Sequence, residues 1–380
     1  MKIKLITLAC MLGLVVSTPA TAASELEKLR SEVDALNAKA QEWEEWKAPK
    51  TLVHLAGYAD VGYSDTEGEP GSFNVGTFSP IFHYQYSETV MLEAELEFNI
   101  NEAGAGSVGV DYLTIDYFMN DYAALIMGKF LSPLGQFRQN LHPSWINKMA
   151  SAPVGFGHDQ AAPNAEVGLM VKGGFPTGNG TSNYAVYVGN GPTLELEAPD
   201  EIEMIETPGL NKDGDGKKVV GGRYGIFIPS QQLDIGLSAA TGETSIRTGS
   251  TGSYAYDTAR SYDAVGFDFA WRVMGLDLRG EYIKQEVGDQ AASVAATGGE
   301  WEAWYIQAAY KFDSSNWEVA IRQSQYDTPH ASVDREQTAI GVNYVFASNF
   351  IAKFNYEINE NPNAGQTAGD RVLVQLAYGF

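Results

Sequence analysis

Three glutamates stand at every second position of the segment VMLEAELEFNI, where Glu93, Glu95 and Glu97 alternate with apolar residues. In an extended chain this spacing places all three carboxylates on one face of a strand. Such a face is costly against lipid and in a dry core, so it needs water. The chemistry that it offers is electrostatic, because it attracts cations and repels anions.

Basic side chains occupy similar positions in other amphipathic segments. Lys353 falls on the face opposite Phe354 and Tyr356. We therefore predict a wet interior whose wall carries both signs of charge. The predicted wall groups are Glu93, Glu95, Glu97, Asp116, Lys129, Lys172, Arg223, Arg279, Arg322, Lys353 and Arg371. The alternative, that these groups are only solvated and pair with one another, stays open.

Catalytic chemistry finds little support in the residue types. A lipase or protease needs an ordered nucleophile and histidine set, and no nucleophile motif accompanies the five histidines. The only cysteine, Cys10, lies in the N-terminal signal, which leaves the mature chain without disulfides. The formal net charge of −23 excludes nucleic-acid binding as the main function. We predict a protein that is not an enzyme and has no cofactor.

The N-terminus has the features of a secretory signal. Lys2 and Lys4 precede an apolar run at residues 6–16, and Ala20-Thr21-Ala22 provides a small-x-small cleavage pattern. We predict a signal peptide over residues 1–22. An N-terminal membrane anchor is the alternative, but the apolar run is too short to span a bilayer.

A heptad pattern follows the signal. Apolar residues are spaced alternately three and four positions apart, which is typical of a coiled-coil seam: Leu26, Leu29, Val33, Leu36, Ala40 and Trp43. We predict a short periplasmic coiled-coil helix over residues 24–47. The alternative is an amphipathic helix that lies on, or plugs, the chain's own barrel.

The sequence of residues 52–380 predicts about sixteen amphipathic strands. They are predicted at 52–63, 73–86, 88–99, 108–119, 121–130, 165–174, 182–189, 218–228, 232–242, 261–271, 274–286, 299–312, 316–326, 334–346, 349–359 and 369–380. Short and long links alternate, and aromatic residues gather beside the short turns, as in outer-membrane barrels. The predicted fold class is all-β, an antiparallel transmembrane β-barrel of about sixteen strands.

The last strand, RVLVQLAYGF, has an apolar face that ends in Tyr378 and Phe380. We expect this face to contact lipid. We also expect the strand to pair with the first strand near Leu52, because closure leaves no unpaired edge.

Two links stand out by length and composition. Residues 131–164 form the longest link, the third of the long ones, and carry apolar side chains that need burial, such as Leu134 and Phe137. Residues 190–217 are acidic, and Asp213 and Asp215 resemble the start of a calcium loop without its closing glutamate. For the second link a metal site and a solvated external loop both remain open, and divalent ions that join this link to lipopolysaccharide would be a compromise between them.

The segment IMGKFLSPLGQF, residues 126–137, resembles the phosphate-selective porin O/P family. The heptad ahead of a barrel is similar to that of a coiled-coil-bearing branch of trimeric porins. The C-terminal strand with its terminal Phe380 resembles the signal by which the barrel-assembly machinery recognises Gram-negative outer-membrane proteins.

The resemblance implies a homotrimer of barrels that passes small anions and lies among the lipid and lipopolysaccharide of the outer membrane. It also implies that the third long loop, 131–164, folds inward and narrows the pore. The candidate selectivity groups on it are Arg138, His142, Lys148, His158 and Asp159. Phosphate-selective members carry many more Lys and Arg residues in this loop, so phosphate specificity does not follow.

The predicted function is passive diffusion of small hydrophilic solutes, preferentially anions, selected by size and charge at the third loop. A structural or adhesion-type barrel with a plugged lumen is the alternative from another functional class. Ion conductance separates the two, because only an open lumen conducts.

Overall fold

The computed structural model describes residues 51–157, 160–250, 253–330, 333–360 and 369–380 of the 380-residue chain. The predicted signal peptide, 1–22, and the predicted coiled coil, 24–47, lie outside the described residues. Within the described ranges, no helix is long and apolar enough to cross a membrane.

Sixteen antiparallel strands form one closed barrel. In chain order they are β1 (Thr51–Thr66), β2 (Ser72–Tyr86), β3 (Val90–Ile100), β4 (Gly106–Asn120), β5 (Ala123–Leu131), β6 (Ala165–Thr177), β7 (Gly180–Gly189), β10 (Val219–Ile228), β11 (Leu233–Thr244), β14 (Arg260–Val273), β15 (Leu276–Val287), β16 (Gly299–Lys311), β17 (Trp317–Asp327), β18 (Arg335–Ala347), β19 (Phe350–Glu360) and β20 (Arg371–Gly379). The predicted fold class is confirmed, and each predicted barrel strand has its counterpart.

Two small hairpins stand apart from the barrel. They are β8 (Thr193–Ala198) with β9 (Glu201–Glu206), and β12 (Arg247–Ser250) with β13 (Ser253–Tyr256). No strand was predicted at either hairpin. The alternative of a solvated external loop over 190–217 is wrong for residues 193–206, where the segment forms β8 and β9. Its acidic residues alternate with apolar ones, and Leu194 and Ile205 are fully buried.

The strand alternation separates an apolar exterior from a polar interior. In β20, Val374, Leu376 and Tyr378 are exposed, whereas Gln375 and Ala377 are buried. The exposed apolar side chains cover the outside of the whole barrel, as a lipid-facing surface requires. Aromatic rings line this surface beside the short turns, where Trp317, Tyr344, Phe346, Phe350 and Tyr378 follow one another at centroid distances of 4.6–6.0 Å.

The barrel closes where β20 pairs with β1, from Tyr58↔Gly379 to Thr66↔Arg371. The backbones of Gly57 and Phe380 exchange two hydrogen bonds, of 3.0 and 2.9 Å, just beyond that register. The predicted pairing of the last strand with the first is confirmed. Every barrel strand therefore has two neighbours, which leaves no edge open in the membrane.

Gly57→Val should destabilise this seam. Gly57 has φ +154°, and a Cβ there would lie 2.4 Å from Ser79 O and 2.7 Å from the Phe380 ring. We expect a loss of about 1–3 kcal/mol in the free energy of unfolding. The urea midpoint of the refolded barrel measures it. Gly106→Val is the control, since a Cβ at Gly106 would meet nothing closer than 3.9 Å. Equal midpoints for the two variants would contradict the close packing at the seam.

Candidate functional site

The long link between β5 and β6 runs through the inside of the barrel. Its two ends are held side by side, because Leu131 pairs directly with Ala165. Between them the chain reaches strands on other parts of the wall: Gly135 N donates to Ser238 Oγ at 3.3 Å, and Ala150 N donates to Asn355 Oδ1 at 2.7 Å. Residues 132–164 are called the third loop below, and its described residues, 132–157 and 160–164, therefore cross the lumen.

The first attachment of the third loop is to Glu281 on β15. The backbone N–H groups of Gln136 and Phe137 donate to Glu281 Oε2 at 3.1 and 2.9 Å. A π-helical turn, Phe137–Leu141, begins at this point. Gly135, at φ +79°, allows the close approach, because a Cβ there would lie 1.7 Å from Glu281 Oε1.

The second attachment uses two buried cations. Arg322 donates to Ser151 O at 2.9 Å and to Ala152 O at 3.1 Å. Lys353 Nζ donates to Met149 O at 3.0 Å. Both cations were predicted as wall groups, and both are almost fully buried beneath the loop. In the structure these two cations attach the third loop to the wall, because they donate hydrogen bonds to its carbonyl oxygens.

Lys148 also attaches the third loop to the wall. Its Nζ donates to Glu318 Oε2 at 2.9 Å, and its carbonyl oxygen accepts from Asn343 Nδ2 at 2.9 Å. Lys148 was predicted as a selectivity group of the constriction. The structure pairs its charge with a wall carboxylate, which reduces its influence on passing ions.

The apolar side chains of the third loop pack on the inner wall. Phe137, Phe156 and Tyr305 stack edge to face, with centroid distances of 5.0–6.2 Å. All three are buried in one cluster with Trp301 of β16. This cluster explains why the loop carries so many apolar side chains. Exposure of these side chains to water in the lumen would be unfavourable.

Two cavities lie between the third loop and the β3–β6 part of the wall. The larger, about 340 Å³, is lined by charged groups of both signs: Glu97, Asp111, Lys129, Arg138 and His142. The smaller, about 210 Å³, has Glu93, Asp116 and Lys172 on the wall, with Gln139 and Asn140 of the loop. A third cavity, about 200 Å³, includes Arg279 and Asp234. Polar space thus remains around the loop.

Other predicted wall groups form ion pairs. Arg223 makes a bidentate contact with Asp268 at 2.8 and 2.6 Å. Arg279 does the same with Asp277 at 2.8 and 2.5 Å. Arg371 Nε donates to Glu357 Oε2 at 3.0 Å. For these three cations, the alternative that wall charges pair with one another describes the structure.

The structure brings Arg138 and His142 together in the larger cavity, whereas Lys148 lies at the second attachment of the loop, near Arg322 and Lys353. His158 and Asp159 lie outside the described residues. Asp213, the candidate calcium ligand, accepts from Gly216 N at 2.7 Å and pairs with Lys218, and Asp215 accepts from Lys217 N at 2.9 Å. These contacts occupy the carboxylates locally.

Asp111 is a cavity residue that the sequence analysis missed. In the β3–β4 register Glu95 pairs with Tyr112 and Leu96 with Val110, so Asp111 is the extra residue of a β-bulge. A bulge redirects side chains, and here it turns Asp111 inward. Strict alternation from Asp116 predicts the opposite face, and no residue in this segment signals the bulge.

Residues 233–380 match the family model of the phosphate-selective porins O and P. The predicted resemblance to these porins is thereby confirmed. A search of the curated proteins found no match. The matched residues form the barrel from β11 to β20, so this part of the chain is similar to the outer-membrane porins of that family.

Solved outer-membrane proteins, one of them described as an anion-selective porin, share the fold. An OmpT of Vibrio cholerae with loop L8 deleted aligns at TM-score 0.56 and 11% identity, over 87% of this chain and all of that one. An anion-selective porin from Comamonas acidovorans aligns at 0.56 and 13%, with the same coverage. OmpF of Salmonella typhi, in complex with daunomycin, aligns at 0.52 and 13%, over 87% and 98%. At these identities the likeness concerns the fold alone.

Proposed function

We propose that this porin lets small hydrophilic solutes diffuse passively across the outer membrane, preferentially anions, with the third loop as its constriction. The observation that carries the proposal is the course of that loop. It crosses the lumen, is attached to the wall at Glu281, Arg322 and Lys353, and leaves polar cavities beside it. A narrow, charged, water-filled passage selects by size and by charge.

Two cations support the preference for anions. Lys129 and Arg138 line the larger cavity, one from the wall and one from the loop. Lys129 Nζ donates to the backbone carbonyl of Val110 at 2.7 Å, a neutral acceptor that leaves its charge in place. A solved porin with this fold is described as anion-selective. Local basic groups favour anions even inside an acidic protein, because charges close to the passage act more strongly than distant ones.

The proposed assembly is a homotrimer in the outer membrane. A solved OmpT of Vibrio cholerae with this fold is described in a trimer form, and the heptad at residues 24–47 offers a further contact between subunits. The heptad would lie in the periplasm, the long loops would meet lipopolysaccharide, and the C-terminal strand would engage the barrel-assembly machinery. The transport needs no cofactor and no catalytic residue.

Liposome swelling tests the passage itself. Liposomes that contain the refolded protein should swell in small uncharged sugars, with rates that fall steeply as the sugar grows. The reason is that the third loop narrows the lumen to cavities of a few hundred Å³. Protein-free liposomes are the control. Absence of swelling in the smallest sugar, with folded protein present, would favour the structural barrel with a plugged lumen.

A further inference from the structure

Glu95, Asp111 and His142 meet inside the barrel although they come from three different segments. Glu95 lies on β3, Asp111 on β4 and His142 on the third loop. One ligand atom of each lies within 4.8 Å of those of the other two. His142 Nε2 is 3.9 Å from Glu95 Oε1. Two carboxylates and an imidazole at this separation can converge on one cation.

The imidazole is oriented for this task. His142 Nδ1 lies 2.5 Å from the backbone carbonyl of Arg138, and a carbonyl oxygen can only accept. Nδ1 therefore carries the hydrogen, and Nε2 is the ring nitrogen that faces Glu95 Oε1 and is available to bind a cation. Metal-binding histidines are commonly held in this way by a backbone carbonyl. The ring of Tyr58 packs edge-on against the imidazole at 6.2 Å.

Glu95 supplies the second, independent observation. Its side chain is 2% exposed, and among the described residues its Oε1 has no hydrogen-bond partner; the same holds for His142 Nε2. A buried carboxylate oxygen and a buried imidazole nitrogen that face each other without a partner are unfavourable. A cation between them would satisfy both atoms at once.

We propose that Glu95, Asp111 and His142 bind a divalent transition-metal cation such as Zn²⁺ between the barrel wall and the third loop. One imidazole nitrogen with carboxylate oxygens is a ligand set that Zn²⁺ accepts in proteins, and three protein ligands leave a position for water or an anion. Glu97, which lines the same cavity, adds negative charge that offsets Lys129 and Arg138.

The bound cation would have two effects on the channel, and this part rests on the proposed function. It would join the third loop to β3 and β4, on the side of the lumen away from its other attachments. It would also place positive charge beside Lys129 and Arg138, so the preference for anions should rise.

Equilibrium dialysis of the refolded, chelator-treated protein against Zn²⁺ tests the site. We expect the wild type to bind one Zn²⁺ per chain. His142→Gln and Asp111→Asn should each bind Zn²⁺ with an affinity about tenfold lower, or weaker still. Asp116→Asn is the matched control, a wall carboxylate on the same strand outside the cluster, and it should bind like the wild type. His83→Gln removes any contribution of the exposed His54–His83 pair, whose Nδ1 atoms lie 3.2 Å apart.

The results separate the site from the channel. Equal zinc binding by the wild type, His142→Gln and Asp111→Asn would overturn the site, as would a wild type that binds none. Conductance recorded with and without Zn²⁺ examines the channel separately. Zinc binding that His142→Gln abolishes, in a protein without channel openings, would support the site and contradict the porin.

Discussion

Replacement of residues 132–164 by a two-residue Asn-Gly turn should raise the single-channel conductance about twofold or more. The exchange is geometrically simple, because Leu131 and Ala165 already pair and a two-residue turn joins paired antiparallel strands. The reason for the gain is that the loop crosses the lumen and its removal leaves an open sixteen-stranded barrel. Planar-bilayer recording of single channels measures the change.

Two further variants make this prediction decisive. Replacement of residues 101–105 by the same Asn-Gly turn shortens an exposed link between β3 and β4, where Ile100 and Gly106 already pair, and should leave the conductance close to that of the wild type. The double variant Arg322→Gln and Lys353→Met keeps the whole chain but removes the two cations that hold the loop against the wall. The loop should then move, so the single-channel current should fluctuate between levels. Heat-modifiable migration in detergent gels verifies folding. Wild-type conductance from a folded loop-replacement variant would contradict the constriction.

Charge reversal of Lys129 and Arg138 to glutamate should move the channel from anion to cation preference. Both side chains line the cavity of about 340 Å³ together with Glu97 and Asp111, so the double variant leaves only acidic charge there. We expect the anion-to-cation permeability ratio to fall on the order of tenfold, which corresponds to about 1.4 kcal/mol. Reversal potentials in a KCl gradient measure this ratio.

Lys284→Glu is the control for the charge reversal. Lys284 lies on the outward face of β15 near its end and pairs with Glu300 at 2.6 Å, so its charge is remote from the lumen. We expect no change in the reversal potential. If Lys284→Glu shifts the reversal potential as much as the double reversal of Lys129 and Arg138 does, the selectivity comes from the general surface charge and not from the cavity.

Much of the barrel was predictable from the sequence because its physics is local. An outer face in lipid and an inner face in water impose a period of two on every strand, and residues such as Val374, Leu376 and Tyr378 record it directly. Short turns, and the aromatic residues beside them, supplied the strand count. The closing pair of β1 and β20 followed from the need to leave no edge unpaired.

The contacts inside the barrel were not predictable, because they depend on partners that are distant in sequence. Arg322 contacts loop residues that lie about 170 positions earlier in the sequence. No residue near Arg322 indicates that it holds the loop and does not simply face water. The β-bulge at Asp111 breaks the period on which the face assignment rests. The β8–β9 hairpin was hidden because its acidic residues suggested a solvated loop.

The most direct test of the central claim, that the third loop is the charged constriction of an open pore, is the current through the wild-type protein in a planar bilayer under a KCl gradient. Stepwise openings with a reversal potential on the anion side are the predicted result. Folded protein that gives no openings, or openings with a reversal potential on the cation side, would contradict it.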